Sequence, residues 1–381
     1  MASSAHKQSQ HLTNLYGGAT SAPPPTPATH SNDLFSTSDT ADALSRLLHR
    51  LPPNLSLPTR RSSSASATCP PTLSLSSQND ILSCVSQLGY AQLTDHSVPS
   101  ELANSAESEA LALFDLSRHQ KESFFPNNWP LGYGGGDDDE EDGFAESFRL
   151  DSSCTTESNE LTLGSLREFA RALENLGLKI IDELTNALGL ENPLGNDPAR
   201  FCSVMWVTEC LASHGNKPGL SGGFYPFIIG LQYQIRSQKH SLLSDSGSVS
   251  VLPHVDSILL TVGDIAQVWS NGKLKKVRGR AVGTVGDEND SRSITMSLLI
   301  TLPTESNVAP LLPKATLESN NKDPKEEAEE ENNAGGEGEE RVFNSFDFED
   351  YAWRVYHERI LFKDPLDRYR VTSKLELSLT G

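Results

Sequence analysis

The chain has 381 residues, room for one large domain with tails or for more than one ordinary domain, yet only 36% of it is hydrophobic, low for a chain folded throughout. Its net charge of −20 is local: 137–142 supplies six acids, and 318–340 holds ten acids against Lys322 and Lys325, which leaves about −6 for the rest. This excludes a nucleic-acid-binding face, since the only basic cluster is 273–280, and no apolar run approaches the ~20 residues of a membrane span. Five cysteines without a CxxC pair exclude a disulfide framework and fit reduced thiols inside a cell.

Residues 1–70 read as a largely disordered tail rich in Ser, Thr and Pro. One helical island stands near 41–51, where Ala41, Leu44, Leu47, Leu48 and Leu51 keep helical spacing before Pro52-Pro53. The tail lacks the apolar core of a secretory signal, so the chain is expected in the cytoplasm, with a plastid transit segment as the second reading. Order is expected from Pro71. A short strand falls at 72–76, a helix at 78–87, a second strand at 89–93 and a turn at 95–99. Residues 100–114 put Leu102, Ala106, Ala110 and Leu113 on one helical face, and a short helix follows within 116–125. The glycines at 132–136 precede six acids and lack the Gly-Lys-Ser/Thr of a phosphate loop, so they read as a surface loop.

The clearest helix runs over 163–188. Leu166, Phe169, Leu173, Leu176, Ile180, Leu184 and Leu188 form one stripe, Gly189 stops it, and Gly177 is a weak point in its middle. Residues 201–210, 224–236 and 293–302 read as strands. The acidic stretch 306–341 reads as a self-repelling disordered linker, and 346–360 as an amphipathic helix. The organisation is thus an N-terminal region of strands and helices (71–190), a β core (200–305), the linker, and a C-terminal helical segment (342–381).

The stretch 253–282 carries the chemistry. His254 and Asp256 stand two apart in a run of β-type residues, and on a strand such positions face the same side. An imidazole and a carboxylate on one side of a sheet rim are two legs of a 2-His-1-carboxylate iron site. The plainer reading is that both side chains bond each other or nearby backbone.

On these residues the chain resembles the plant-type Fe(II)/2-oxoglutarate-dependent dioxygenases, the isopenicillin N synthase-like family. His254-Val255-Asp256 is similar to the family's His-x-Asp. Gly263-Asp264 and Gln267-Val268-Trp269-Ser270-Asn271-Gly272 are similar to its strand-turn, and 277–282 to its Val-x-His-Arg-x-Val segment. Gly279 stands where that segment has the second iron histidine; His214, His240 and His357 are the candidates to replace it. The likeness extends over about 70–375. It implies an α+β fold with a jelly-roll (double-stranded β-helix) core and flanking helices, and a monomer acting on a small-molecule substrate without nucleic acid or membrane. It also implies Fe(II) on His254 and Asp256, and 2-oxoglutarate on Arg292 and Tyr233.

Arg292 is the nearest match to the family's Arg-x-Ser, with the hydroxyl one position late, which turns it to the other side of a strand. A solvent-facing Arg292 and a core-rim Tyr233 are the plainer readings. His96, in a turn similar to the family's Asn-His-Gly-Val-Pro, is structural by the same resemblance. Only eight residues carry the chain from Asp256 to Asp264, at most roughly 28 Å extended, enough for one strand and no hairpin. The core is therefore expected to be incomplete, with an unpaired edge near 257–260 or a shallow, open pocket: either about two strands are absent or an exon is lost. Two functions stay open. One is an oxygenase of a hormone or secondary metabolite with an incomplete iron site. The other is a non-catalytic dioxygenase-fold protein that binds a ligand or partner.

Overall fold

The computed structural model describes residues 67–75, 78–135, 146–158, 161–195, 197–210, 224–282, 293–311, 313, 341–357 and 364–371. The helical island near 41–51, the acids at 137–142, His214 and Arg292 lie outside the described residues.

Strand β1 (Thr72–Leu73) runs parallel to β2 (Tyr90–Leu93), with helix α1 (Gln78–Gln87) between them. Next come α2 (Ser100–Phe114), α3 (Arg118–Phe124), β3 (Gly132–Gly134), β4 (Ser147–Asp151) and α4 (Gly164–Ala187). Strands β5 (Cys202–Cys210) and β6 (Ile229–Tyr233) lead to a hairpin of β7 (Lys239–Ser244) and β8 (Gly247–Val251). Then follow β9 (Ile258–Val262), α5 (Asp264–Trp269), β10 (Val277–Val282) and β11 (Ser293–Thr301). The described chain closes with β12 (Asn307–Val308), β13 (Phe346–Asp347), α6 (Phe348–His357) and a 3-10 turn, Pro365–Tyr369.

Eight strands form the main sheet in the order β1-β2-β9-β6-β11-β5-β4-β3, and β10-β7-β8 form a second, smaller one. Because side chains alternate across a strand, register sorts the main sheet into two faces. One face is apolar: Phe148, Met205, Val207, Leu298, Ile300, Leu231, Ile229, Leu260 and Ala91 are all buried there. Helix α4 lies on this face, burying the stripe from Leu166 to Leu184, and the small residues Ala103, Ala106 and Ala110 of α2 let that helix pack against α4. The approach explains Gly177: a Cβ there would run into the side chains of Ile300, Leu231 and Ile229. What reads as a weak point in the helix is a place of close approach between helix and sheet.

Across the other face, register lines up Arg149, Trp206, Ser297, Gln232, Leu259 and Gln92, one from each neighbouring strand. The second sheet covers the β2 end of this face through a small cluster of Tyr90, Leu242, Val251 and Val277. Near β4 the cover is aromatic, with Tyr356 of α6 against Arg149 and Trp129.

Several expectations change. Strand β9 is hydrogen-bonded on both sides, to β2 and β6, so 257–260 leaves no open edge. Two strands that the sequence reading did not anticipate, β7 and β8, stand before His254. The segment read as a strand-turn is helix α5 followed by a turn with Asn271 and Gly272 at φ 50° and 85°. The linker read as disordered over 306–341 has an ordered start: Val308 is buried, β12 pairs with β13, and Leu311 N–H donates to Trp269 O at 3.0 Å. Its residues 314–340 lie outside the described chain.

Candidate functional site

His254 and Asp256 do not share a strand face. They lie in the turn between β8 and β9, and both are exposed. Asp256 has φ 56°, in the left-handed region, which ends the two-residue alternation that the strand argument needs. The turn is held from beneath. The Gln92 side chain, fully buried on β2, accepts from His254 N–H at 2.9 Å and donates to Pro70 O at 3.1 Å and Thr72 Oγ1 at 2.6 Å. Ser257 Oγ donates to His254 O at 2.6 Å, and Asp256 N–H to Gln234 O at 2.9 Å.

The two side chains then part. His254 Nε2 lies 3.3 Å from Cys69 Sγ. Asp256 Oδ1 accepts the Tyr233 hydroxyl at 3.1 Å. That bond corrects the expectation for Tyr233 as well. Alternation with Ile229 and Leu231 turns its ring to the helix-covered face, edge-on to His96 and Phe169 at 5.3 and 6.1 Å, away from the open face. Burial, and then the bond to Asp256, push its pKa up to about 12. His96 is a turn residue, as the resemblance implied: Nδ1 accepts from Val98 N–H at 3.1 Å and Nε2 donates to Asp256 O at 3.0 Å.

Gly279 pairs with Leu242 in β10, and a Cβ on it would meet Leu242 Cδ2 at 2.6 Å. Of the substitutes, His240 is buried on β7, donates to Gln234 Oε1 at 3.0 Å, and is pushed by burial from an ordinary value near 6.5 down to about 4. His357 donates from Nδ1 to Trp353 O at 2.9 Å and stacks on that indole. Among the described residues no three His, Cys, Asp or Glu side chains converge to hold a metal ion.

Sequence reasoning missed two features. The first is a buried ionic network. Arg278, 3% exposed, donates to Asp264 Oδ1 at 2.5 Å and to the two oxygens of Asp364 at 3.2 and 3.3 Å. The Tyr351 hydroxyl also donates to Asp264 Oδ1, at 2.9 Å. Lys276 pairs with Asp364 and, at 3.2 Å, with Asp245 in the β7–β8 turn. Burial alone would raise the Asp364 pKa, but Arg278 and Lys276 outweigh it and hold it down at about 2. The network ties α5, β10, α6, the hairpin and the last turn together. The signal in the sequence was Asp264, an acid opening a helix whose other residues are apolar except Gln267.

The second feature is Arg149 on β4, also 3% exposed. Its Nη1 donates to the Tyr356 hydroxyl and its Nη2 to Asn127 Oδ1, both at 3.2 Å. Among the described residues its Nε has no partner, nor has the buried Nε1 of Trp129. The guanidinium lies 5.5 Å from the Tyr356 ring and 5.9 Å from the Trp206 ring.

The fold is similar to those of solved 2-oxoglutarate oxygenases. The rice dioxygenase for auxin oxidation superposes with a TM-score of 0.57 over 79% of this chain and 99% of its own, at 18% identity, a likeness of fold. In sequence the chain is 27% identical over 260 residues to gibberellin 2-beta-dioxygenase 1 of Pisum sativum, covering 61% of this chain and 75% of that one. It is 26% identical over 308 residues to a gibberellin 2-beta-dioxygenase of Phaseolus coccineus, covering 74% and 85%. No protein-family model matches. In sequence and in fold the chain is thus similar to the plant-type Fe(II)/2-oxoglutarate-dependent dioxygenases. The family implies a bound iron, and the residues described here do not fit one: His254 and Asp256 face different partners, and position 279 carries no side chain. No helix among the described residues is long and apolar enough to cross a membrane.

Proposed function

We propose that this protein uses the dioxygenase fold to bind a small, mostly apolar metabolite without oxidising it. The observation that carries this reading is the commitment of His254 to Cys69 and of Asp256 to Tyr233, with glycine at 279. An iron site of this class needs three converging protein ligands and three open positions, and affinity falls with ligand number and geometry. The fold is read as a jelly roll. Strands β5, β6, β9 and β11 lie in one sheet and β7, β8 and β10 in the other, so the chain crosses repeatedly between two layers. The ligand is expected to be of the size of the hormones named for the relatives, gibberellin and auxin.

Titration of the full chain with Fe(II), alongside 2-oxoglutarate consumption, tests the proposal. The expected result is weak iron binding, unchanged in His254→Ala, and no turnover of 2-oxoglutarate. Gly279→His is expected to leave iron binding weak, since Leu242 fills the space. Tight stoichiometric iron binding with 2-oxoglutarate turnover, both lost in His254→Ala, would overturn it in favour of an oxygenase that builds its centre on His254 and Asp256.

A further inference from the structure

We infer that Arg149, together with the indole N–H of Trp129, forms the anion-reading corner of a ligand site on the open face of the main sheet, and that its ligand is a small monocarboxylate with an apolar body. The inference rests on the binding reading above and names the ligand's chemistry.

A guanidinium stays charged at any pH a protein survives, and burying a charge without an opposite one is costly. Such groups in folded proteins are paired or ligated. Arg149 is buried, yet among the described residues it has no carboxylate: its two partners are an amide oxygen and a phenol. Its Nε is a third donor with nothing to donate to, and the indole Nε1 of Trp129 is a fourth buried donor in the same state. Tyr356 joins the two, lying 5.5 Å from the Arg149 guanidinium and 6.4 Å, ring to ring, from Trp129.

Trp129, Trp206 and Tyr356 are each only partly buried, and Ser297 and Gln232 continue the row from Trp206 along the same face. The position opposite Arg149 on β3 is Gly132, where the backbone of Pro126 and Asn127 takes the space of a side chain, and a Cβ on Gly134 would touch Arg149 Nη2 at 3.6 Å. The donor set chooses the anion. One guanidinium edge with one indole N–H suits the two oxygens of a singly charged carboxylate, whereas a doubly charged phosphate calls for more cations. The walls choose the body: Trp129, Trp206, Tyr225 and Tyr356 offer aromatic surface, with Tyr225 5.7 Å from Trp129.

The test uses the full chain and a panel of monocarboxylic acids with aromatic or fused-ring bodies, each beside its primary amide and with inorganic phosphate as a further arm, read by calorimetry and melting temperature. At least one acid is expected to bind and to raise the melting temperature, its amide to bind at least about tenfold more weakly, and phosphate to do nothing. In Arg149→Met the preference for acid over amide is expected to vanish; in Arg149→Lys part of it returns. The inference is overturned if acids and amides bind alike, if Arg149→Met keeps the preference, if phosphate alone binds, or if no acid in the panel binds. The acid–amide pairs on the unaltered chain decide the matter even if a variant fails to fold. Equal binding of acid and amide would overturn the role of Arg149 while leaving a binding protein, whereas iron-dependent turnover would overturn the non-catalytic reading while leaving the carboxylate preference.

Discussion

Arg278 and Arg149 are equally buried, at 3% exposure, and differently supplied. Arg278 meets two carboxylates from distant segments, Asp264 and Asp364. Arg149 meets an amide and a phenol and no carboxylate, while Nε has no partner among the described residues in either arginine. Burial alone therefore says little about what a charged side chain does. A buried cation with its acids in place closes the fold, and removing either partner strands the other. A buried cation without an acid leaves the fold with a charge to be met from outside the chain.

The largest expected effect comes from breaking the supplied arginine. Arg278→Met leaves Asp264 buried without its cation and is expected to lower stability by about 3–5 kcal/mol in denaturant unfolding. A smaller change there would remove the distinction between the two arginines.

The network's response to acid must be read apart from that of His240. Its folded pKa of about 4 lies below the ordinary 6.5, so the unfolded chain binds the proton first. Stability is thus complete above about pH 6.5 and falls by about 3 kcal/mol as the pH drops to about 4. His240→Gln, which retains a donor for Gln234, is expected to flatten the stability profile over that window.

On that background Asp364 becomes visible. Its pKa is depressed to about 2, so its contribution is present above the ordinary 3.8 and is lost as the pH falls through about 2. It amounts to about 2 kcal/mol, and Asp364→Asn is expected to show that loss already at neutral pH. Arg149→Met should have the smallest effect, within about 1 kcal/mol of the unaltered chain and as readily a gain as a loss, because it removes a charge that no acid compensates. A loss as large as that of Arg278→Met would mean that Arg149 is structural.

The helices other than α5 were legible in the sequence. Gln78–Gln87 and Ser100–Phe114 form where spacing put them, and α4 lies within 163–188, because a stripe at helical period is decided locally. Strands β5 and β11 were legible as β-rich runs. The β7–β8 hairpin was not. Its strands are rich in Ser, and only Leu242, Val251 and His240 bury their side chains fully. The turn at Asp245-Ser246-Gly247, with Gly247 at φ 123°, was the signal that could have found it. Without the hairpin, the short link from Asp256 to Asp264 looked like lost strands. His254 and Asp256 looked like a site because their spacing was taken on a strand, and one residue at positive φ undoes that. Arg149 was not legible at all, since what sets it apart is an acid that does not come near it, and no spacing in a sequence records that.

The Asp364 contacts also put the end of the chain in charge of its middle. Lys276 and Arg278 leave the ribosome 88 and 86 residues ahead of the carboxylate that both of them use. Until that carboxylate arrives, two cations destined for the interior share a smaller set of acids, and the sheet edge around β10 cannot reach its final electrostatic balance. A product that stops short of 364 carries that imbalance permanently, so the last described turn makes completion of synthesis a condition of the finished fold.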